Sequence, residues 1–343
     1  MNPSYSINKG DVEEVRECPI CKSNDILKIS EISINKVVEP IVFFETSACK
    51  KCNHIFRSKR PKEKWFFDKF EERRKYQDKK SFNPINEKVE IDRFNRYKEL
   101  GIFLDKKLSQ SLRNRKVFDF GCGTGSGLIA LNELGFDAVG IEPDLTRANY
   151  GLKKDLNILT LPWEKVKEEL KSASLILSIH SLEHFYHPVN FIKHIYEHTK
   201  QDCYLYLEVP NSSFINDWTD SFYLAHINNF SNHSLIKMLK KQGYFLHSLI
   251  PTENIFSNPL NSICGIFSKK KPEIDINFKT NQDLKIDYYN PPISYVEKPY
   301  KFIVDVINDL SLTYRIEEKV SSSVTKNQSG RKLKIDNNFI CLY

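Results

Sequence analysis

The chain has 343 residues, of which 40% are hydrophobic and 28% are charged, and its formal net charge is +7. This length allows one large or two to three modest domains, and the composition excludes a disordered, collagen-like or low-complexity chain. The longest apolar runs cover only a handful of residues, so the sequence predicts no membrane span. The amino terminus lacks the basic start and apolar core of a signal peptide, which predicts a cytoplasmic protein with reduced cysteines.

Four of the eight cysteines form two CxxC pairs near the amino terminus, with 27 residues between the pairs. They are Cys18, Cys21, Cys49 and Cys52. Two such turns can present four thiolates to one tetrahedral Zn²⁺, and a complete set of protein ligands predicts a structural ion. The alternative is four unrelated reduced cysteines. Residues 1–58 are therefore predicted to be a small N-terminal zinc ribbon, with His54 at its surface.

The positive charge of the chain is local, because residues 57–80 carry eleven basic and five acidic side chains while the rest is nearly neutral. A general nucleic-acid binder would be basic over its whole surface, so that class is disfavoured. Residues 59–84 are expected to form a basic, aromatic connector that either faces solvent or grips a phosphate or nucleotide. Its candidate phosphate ligands are Lys59, Arg60, Arg73 and Arg74.

From residue 85 onwards, short apolar runs alternate with amphipathic stretches. Strands are predicted for the runs at 117–120, 138–141, 156–159, 175–179, 204–209, 245–250 and 263–267. Helices are predicted at 89–108, 126–134, 145–154, 163–171, 188–199 and 232–242. This alternation predicts an α/β domain with a mainly parallel sheet over residues 85–270. Residues 271–343 form a C-terminal extension of weaker pattern, with one helix expected at 302–312.

A glycine loop, in the sequence VFDFGCGTGSG, follows the first predicted strand of this domain. It places Asp119 on the strand, and Gly121, Gly123 and Gly125 in the turn before a helix. Glycines allow the backbone to turn sharply and to approach a ligand closely. The dinucleotide-binding pattern would need a glycine where this chain has Ser126, whereas Asp119 suits a ligand with an ammonium group.

Glu142 is the second candidate ligand group. It ends the next predicted strand, 21 residues after Gly121. A carboxylate at that place can accept hydrogen bonds from both ribose hydroxyls of an adenosine. The loop and Glu142 together indicate a ligand that carries an adenosine and an amino group.

Five motifs in one order resemble class I S-adenosylmethionine-dependent methyltransferases. They are VFDFGCGTGSG, VGIEPD, ILSIHSLEHFYHP, LYLEVPNSS and HINNFSNHSLIKMLKKQGY, and the similarity covers residues 18–57 and about 85–268. More narrowly, the chain is similar to the bacterial branch that begins with a zinc ribbon and is associated with sugar, surface-polysaccharide or natural-product modification. The resemblance implies a Rossmann-like sheet of seven strands whose last strand is antiparallel.

The same resemblance implies a set of cofactor-binding residues and an acceptor. The residues are Asp119, Gly121, Gly123 and Gly125 for the methionine part, Glu142 for the ribose, Pro162 and Trp163 for the adenine, and Ile179, His180 and Ser181 on the sulfonium side. The implied acceptor is a small molecule, a sugar nucleotide or glycan. Trp218 and Tyr223 are expected to face it.

A third constellation consists of His180, Glu183 and His184, followed by His226. The letters HSLEH match the HxxEH of some zinc peptidases, but a strand that ends at His180 argues against one helix presenting both histidines. A second divalent cation at these four residues would resemble the ExxEH site of the plant small-RNA 3′-end methyltransferase. Imidazole in place of one carboxylate would favour Zn²⁺, Mn²⁺ or Fe²⁺. The alternative is a helix-start motif without a metal.

His226 is the candidate general base. Methyl transfer to a hydroxyl is an in-line displacement in which the acceptor oxygen loses its proton, and a neutral histidine can take that proton. The alternative for His226 is a structural hydrogen bond. His184 and Glu183 are the other catalytic candidates.

These patterns predict an S-adenosylmethionine-dependent methyltransferase that acts on a sugar hydroxyl, or a sugar carbon, of a nucleotide- or lipid-linked precursor. The main alternative is an RNA methyltransferase for ribose or terminal hydroxyls. The segment IHSLEH lacks the N/D-P-P-Y/F/W pattern used to methylate base amines. A catalytically inactive cofactor-binding scaffold is the other alternative, and the intact loop and Glu142 disfavour it.

Overall fold

The structure, a computed structural model, describes residues 9–35, 42–65, 68, 86–108, 112, 115–211, 225–271, 300–306, 312–316, 335–336 and 339–340. The chain forms two compact units. The first comprises residues 1–72, 212–229 and 288–343, and the second comprises residues 73–211 and 230–287. Among the described residues, none of the helices combines the length and the apolar character needed to cross a bilayer.

The regular elements of the described residues follow one another in a simple order. They are β1 (Val12–Glu14), β2 (Ile26–Asn35), β3 (Val42–Cys49), β4 (Ile55–Pro61), α1 (Glu87–Leu108), β5 (Lys116–Phe120), α2 (Ser126–Glu133), β6 (Asp137–Ile141), α3 (Leu145–Leu152), β7 (Ile158–Leu159), β8 (Leu175–Ile179), α4 (Pro188–His198), β9 (Tyr204–Pro210), β10 (Asn228–Asn229), α5 (Asn232–Lys241), β11 (Phe245–Ile250), β12 (Ser262–Ser268), β13 (Tyr300–Val306), β14 (Leu312–Ile316), β15 (Ile335–Asp336) and β16 (Phe339–Ile340).

The second unit contains a seven-stranded sheet in the order β11-β12-β9-β8-β5-β6-β7. The pairs from β7 to β9 are parallel, whereas β12 is antiparallel to both of its neighbours, β9 and β11. The predicted Rossmann-like α/β fold of class I methyltransferases, with an antiparallel last strand, is therefore confirmed. The strand order reverses between β5 and β8, and open α/β sheets bind ligands at the carboxyl ends of strands beside such a point.

Helix α1 packs on α2 beside the sheet. Its buried residues Tyr97, Leu100, Leu104 and Leu108 recur every three or four positions, and this spacing places them on one face of the helix. They join the core of the second unit together with Val117 and other strand residues. The face of α1 that carries Tyr97 therefore looks towards the strand that leads into the glycine loop.

The first unit contains the other sheet, in the order β1-β4-β3-β2-β13-β14-β16-β15, with β10 paired to β4. Strands β1 to β4 pair antiparallel, and β13 joins β2 in parallel, from Tyr300 opposite Ser30 to Asp305 opposite Asn35. Residues from the middle and the last fifth of the sequence thus complete a sheet that begins with residue 12.

Two predicted helices are wrong. Residues 163–171 contain two short 3₁₀ turns, Trp163–Lys165 and Glu169–Ser172. Between them Val166 is extended, and its carbonyl accepts a hydrogen bond from His194 Nε2 at 2.8 Å, so it does not serve an α-helical turn. The helix expected at 302–312 is replaced by β13, because its β-branched residues pair with β2, a partner far away in the sequence.

Only the beginning of the predicted connector lies among the described residues. Residues 59–61 form the end of β4, and Arg60 is buried with its Nε donating to Glu13 Oε1 at 2.7 Å. Arg60 is therefore an ion-pair partner inside the sheet, not a free phosphate ligand. Arg73 and Arg74, like Trp218 and Tyr223, lie outside the described residues.

Candidate functional site

The glycine loop lies directly at the carboxyl end of β5, where the strand order reverses. Gly121 has a φ of 86°, and a Cβ built on it would lie 2.0 Å from Ser181 Oγ. No side chain fits there, because the segment after β8 packs against the loop backbone. The structure thus brings Gly121 and Ser181, two predicted cofactor residues, into direct contact.

Asp119 is buried beside this loop, and only one of its two carboxylate oxygens has a hydrogen-bond partner among the described residues. Its Oδ2 accepts a hydrogen bond from the Tyr97 hydroxyl at 2.9 Å, while its buried Oδ1 has no partner among the described residues. Burial raises the pKa of Asp119 to about 7; the bond from Tyr97 opposes that rise, and the charge of Glu142 adds to it. A buried carboxylate oxygen without a donor fits a cationic ligand group such as an ammonium.

Glu142 follows β6 and is 5% exposed. Its Oε2 accepts a hydrogen bond from the Gly123 amide, and its Oε1 accepts one from the Asp144 amide, both at 3.0 Å. Burial raises the pKa of Glu142, and the nearby Arg147 opposes that rise. Each carboxylate oxygen retains a further lone pair, so the two oxygens fit the two hydroxyls of a ribose.

Helix α1 contributes a polar clasp that the sequence patterns did not reveal. Glu90 Oε2 accepts hydrogen bonds from the hydroxyls of Thr124 and Ser126, and Arg93 Nη1 donates to Glu90 Oε1 at 3.0 Å and to Thr124 Oγ1 at 3.1 Å. The clasp ties the first turns of α1 to the glycine loop. The sequence held one signal for these contacts, because Glu90 and Arg93 are charged residues on the same face of α1 as the buried Tyr97.

Pro162 and Trp163 follow β7, the neighbour of the strand that leads to Glu142. Trp163 stacks on Phe185, with ring centroids 6.4 Å apart, and meets the edges of Phe191 and His194 at 5.6 Å and 5.2 Å. These rings form one aromatic cluster, which also reaches Phe120 at the end of β5, 5.1 Å from Phe191. Adenine contact with Pro162 and Trp163 stays a prediction.

His180 begins the loop after β8 with a φ of 47°, a conformation that residues other than glycine rarely adopt. Its Nε2 lies 3.1 Å from Glu208 Oε1, and its Nδ1 lies 3.7 Å from Glu183 Oε1. Burial alone would lower the pKa of His180, but the bonds to these two carboxylates outweigh it and raise the pKa to about 9. Both ring nitrogens thus face carboxylates, as in an ion-paired imidazolium.

Arg96 and Glu208 extend this ion-paired group and were also missed from the sequence. Arg96 on α1 makes a short ion pair with the fully buried Glu208 on β9, whose other oxygen accepts a bond from the Tyr206 hydroxyl. Burial would raise the pKa of Glu208, yet its cationic partners hold that pKa below the ordinary value. Residues 182–184 form a 3₁₀ turn, so no α-helix presents His180 and His184 together.

The four cysteines converge in the first unit. Their ligand atoms lie within 4.8 Å of one another, with 3.5 Å between the sulfurs of Cys18 and Cys52 and between those of Cys21 and Cys49. A tetrahedral ion with ~2.3 Å metal–sulfur bonds needs sulfurs about 3.8 Å apart. The hydrogen bond with Cys52 lowers the pKa of Cys18, which favours its thiolate form. These donors fit zinc.

The two CxxC turns share one backbone design. Lys22 and Asn53, each just after the second cysteine of a pair, have φ values of 64° and 54°. Their amides donate to the carbonyls of Cys18 and Cys49, both at 2.9 Å. Each turn thus curls back on its first cysteine, which directs the two sulfurs of the pair to one side.

His54 is fully buried, so its predicted surface position is wrong. Its ring stacks on Phe56, with centroids 6.0 Å apart, and its Nε2 lies 3.3 Å from Asn228 Oδ1. Burial lowers the pKa of His54 to about 4, and the bond to Asn228 opposes that shift. The partner lies 174 positions away in the chain, which is why the local sequence suggested a surface histidine.

His226 belongs to the first unit, in a segment at 225–229 that precedes α5, whereas Glu183 and His184 belong to the second unit. The Arg57 amide donates to the Ile227 carbonyl at 3.0 Å, which fixes the residue next to His226. The roles of His226, Glu183 and His184 stay predictions.

Comparison with known proteins agrees with this architecture. Residues 89–249 match a family described as a methyltransferase domain. No curated protein matches the chain. The chain therefore carries a methyltransferase domain, and the expectation of a methyltransferase is confirmed. The same match supports S-adenosylmethionine as its methyl donor.

Similar solved structures share low sequence identity with this chain. An S-adenosylmethionine-dependent methyltransferase from Archaeoglobus fulgidus is 17% identical, with 50% of this chain and 93% of that chain covered and a TM-score of 0.41. Magnesium protoporphyrin IX methyltransferase from Synechocystis PCC 6803 is 13% identical, with 50% and 80% covered and a TM-score of 0.37. The plantazolicin methyltransferase is 13% identical, with 60% and 91% covered and a TM-score of 0.42.

Proposed function

We propose that this protein transfers a methyl group from S-adenosylmethionine to a small acceptor, a sugar hydroxyl of a nucleotide- or lipid-linked precursor in surface-polysaccharide or natural-product biosynthesis. The sugar acceptor rests on the resemblance to the zinc-ribbon branch. The buried Oδ1 of Asp119 beside the glycine loop, which has no partner in the described part of the chain, carries the donor assignment, since it suits an ammonium group. An acceptor assay would distinguish methylation of a sugar hydroxyl from two alternatives, which are methylation of a sugar carbon and methylation of RNA.

Different residues of the site would bind different parts of the donor. Asp119 would accept a hydrogen bond from the ammonium group, Glu142 would accept hydrogen bonds from the ribose hydroxyls, and Pro162 and Trp163 would contact the adenine. When bound, S-adenosylmethionine supplies an electrophilic methyl group on a positively charged sulfur. His226 takes the proton that the attacking hydroxyl loses, with Glu183 and His184 as further catalytic groups.

The four cysteines hold one structural Zn²⁺ in this proposal. Their converging sulfurs and the matched turns around Cys18 and Cys49 support it. All four ligand positions of a tetrahedral ion are then filled by protein, so this metal takes no part in methyl transfer. A second cation at His180, Glu183, His184 and His226 is the alternative to the base, and the ion pairs of His180 favour the base.

Replacing Glu142 with alanine tests the donor assignment. The loss of a hydrogen-bonded carboxylate is expected to weaken S-adenosylhomocysteine binding by ~1.5 to 3 kcal/mol, about tenfold to over a hundredfold. Calorimetry on wild type and variant measures the change, and Glu164→Ala, an exposed glutamate on the Trp163–Lys165 turn, is the matched control. Unchanged affinity, or preferred binding of a nicotinamide dinucleotide by the wild type, would refute the assignment.

Asp119 predicts a pH dependence of donor binding. Its pKa of about 7 in the folded protein lies above the ordinary 3.8, so its contribution to stability falls as pH rises from about 4 to 7. An ammonium ligand needs the ionised form, so affinity for S-adenosylhomocysteine is expected to rise about tenfold from pH 6 to pH 8. Asp119→Asn can still accept the Tyr97 bond but has no charge, and its weaker binding should not vary with pH. A flat wild-type profile would contradict the prediction.

A further inference from the structure

The segment that carries His226 is attached to the four-cysteine module within the first unit. The Arg57 amide donates to the Ile227 carbonyl at 3.0 Å, one residue beyond His226. The next two residues form β10, in which Asn228 lies opposite Phe56 and Asn229 lies opposite Ile55 on β4. Three consecutive residues after His226 are thus held by the strand that follows the second CxxC turn.

A side-chain contact strengthens this attachment at its centre. His54 Nε2 lies 3.3 Å from Asn228 Oδ1, and both residues are almost completely buried. The His54 carbonyl accepts the Cys49 amide at 2.9 Å, and the His54 ring stacks on Phe56. The position of the ring therefore depends on the β3–β4 turn, whose ends are shaped by Cys49 and Cys52.

We propose that the four-cysteine site positions the His226 segment, and that its metal, through the β3–β4 turn and His54, controls how well that segment is ordered. His54 and Asn228 are the positioning residues. The inference rests on the proposed function, in which His226 is the base and the cysteines bind Zn²⁺. The metal then has an effect on the reaction without touching any reacting atom.

The short length of β10 explains why support is needed. Two residues of antiparallel pairing do not make an independently stable strand, so residues 225–229 rely on tertiary contacts for their order. The buried contact between His54 and Asn228 is sensitive to the removal of either partner, because the remaining polar group is left in an apolar environment. Loss of the turn that holds His54 would remove this contact and the β4 register together.

Hydrogen–deuterium exchange on the full-length protein tests the inference, with bound zinc counted in the same samples. Asn228→Ala is expected to speed the exchange of residues 55–57 and 225–229 by roughly fivefold to a hundredfold while zinc content stays at the wild-type level. Chelated wild type should show the same loosening. Asn254→Ala, an exposed asparagine in the second unit, is the matched control.

A pair of substitutions at His54 separates positioning from general destabilisation. His54→Gln retains an N–H that can donate to Asn228 and should keep the slow exchange, whereas His54→Phe keeps the stacking and should lose it. The inference would be overturned if residues 55–57 and 225–229 exchanged as slowly as in the untreated wild type in Asn228→Ala, in His54→Phe or in the chelated protein. Failure of the wild type to bind S-adenosylhomocysteine in calorimetry would instead defeat the proposed function, and the exchange comparison would stand on its own.

Discussion

His226→Ala is expected to lower turnover by ~10² to 10⁴ while affinity for S-adenosylhomocysteine barely changes. The reason is that removal of the acceptor proton matters in the transition state and not in donor binding. Transfer of a labelled methyl group from S-adenosylmethionine to nucleotide-linked sugars measures the effect. His233→Ala removes an exposed histidine at the start of α5 and is the matched control.

The same assay separates a base from a cation site. If a divalent cation is bound, alanine at His180, Glu183 or His184 should lower turnover as much as His226→Ala, and a chelator should inhibit the wild type. The metal content must be measured after chelation, because a chelator would also remove the zinc that we propose for the four cysteines. Turnover in His226→Ala that equals that of the wild type would exclude both roles for this residue.

Cys49→Ser is expected to abolish zinc binding and to unfold the module at residues 18–57. A structural zinc site contributes ~10 to 16 kcal/mol in zinc-finger peptides, and one hydroxyl in place of a thiolate removes much of that free energy. Elemental analysis should find one zinc per wild-type chain and none in the variant. Thermal unfolding should show an early transition in the variant only.

The control for this substitution is Cys203→Ala, which removes a solitary buried cysteine from the second unit. Its zinc content should match the wild type. Affinity for S-adenosylhomocysteine should be kept in both variants, because the glycine loop belongs to the second unit. Wild-type chain without zinc, or Cys49→Ser with a full complement of zinc, would show that the cysteines do not form the metal site.

The parts of the fold that the sequence predicts well are those specified by neighbouring residues. The buried parallel strand β8 is apolar at nearly every position, and Gly121 and Gly123 follow directly from the end of β5. Local patterns of this kind report burial and backbone conformation within a few residues. They were therefore sufficient to predict the seven-stranded sheet, the loop and the Glu142 position.

The remaining features depend on partners that are distant in the sequence. The strand at 300–306 resembles a helix until its pairing with β2 is known, and His54 resembles a surface residue until Asn228 is placed beside it. Glu90 and Arg96 appear as ordinary charged positions of an amphipathic helix. Their contacts, with Thr124 and Glu208 respectively, are set by tertiary packing, which no local spacing encodes.

The pairing of β13 with β2 has a consequence for the order of folding. The turns with the four cysteines are synthesised before β10 near residue 228 and β13 near residue 300, and their sheet needs both strands to be complete. Until residue 306 is available, β2 has a free edge open to pairing with other chains. Contacts across such long stretches of sequence form slowly. During synthesis the first unit can therefore complete its sheet only after the described strands of the second unit are available.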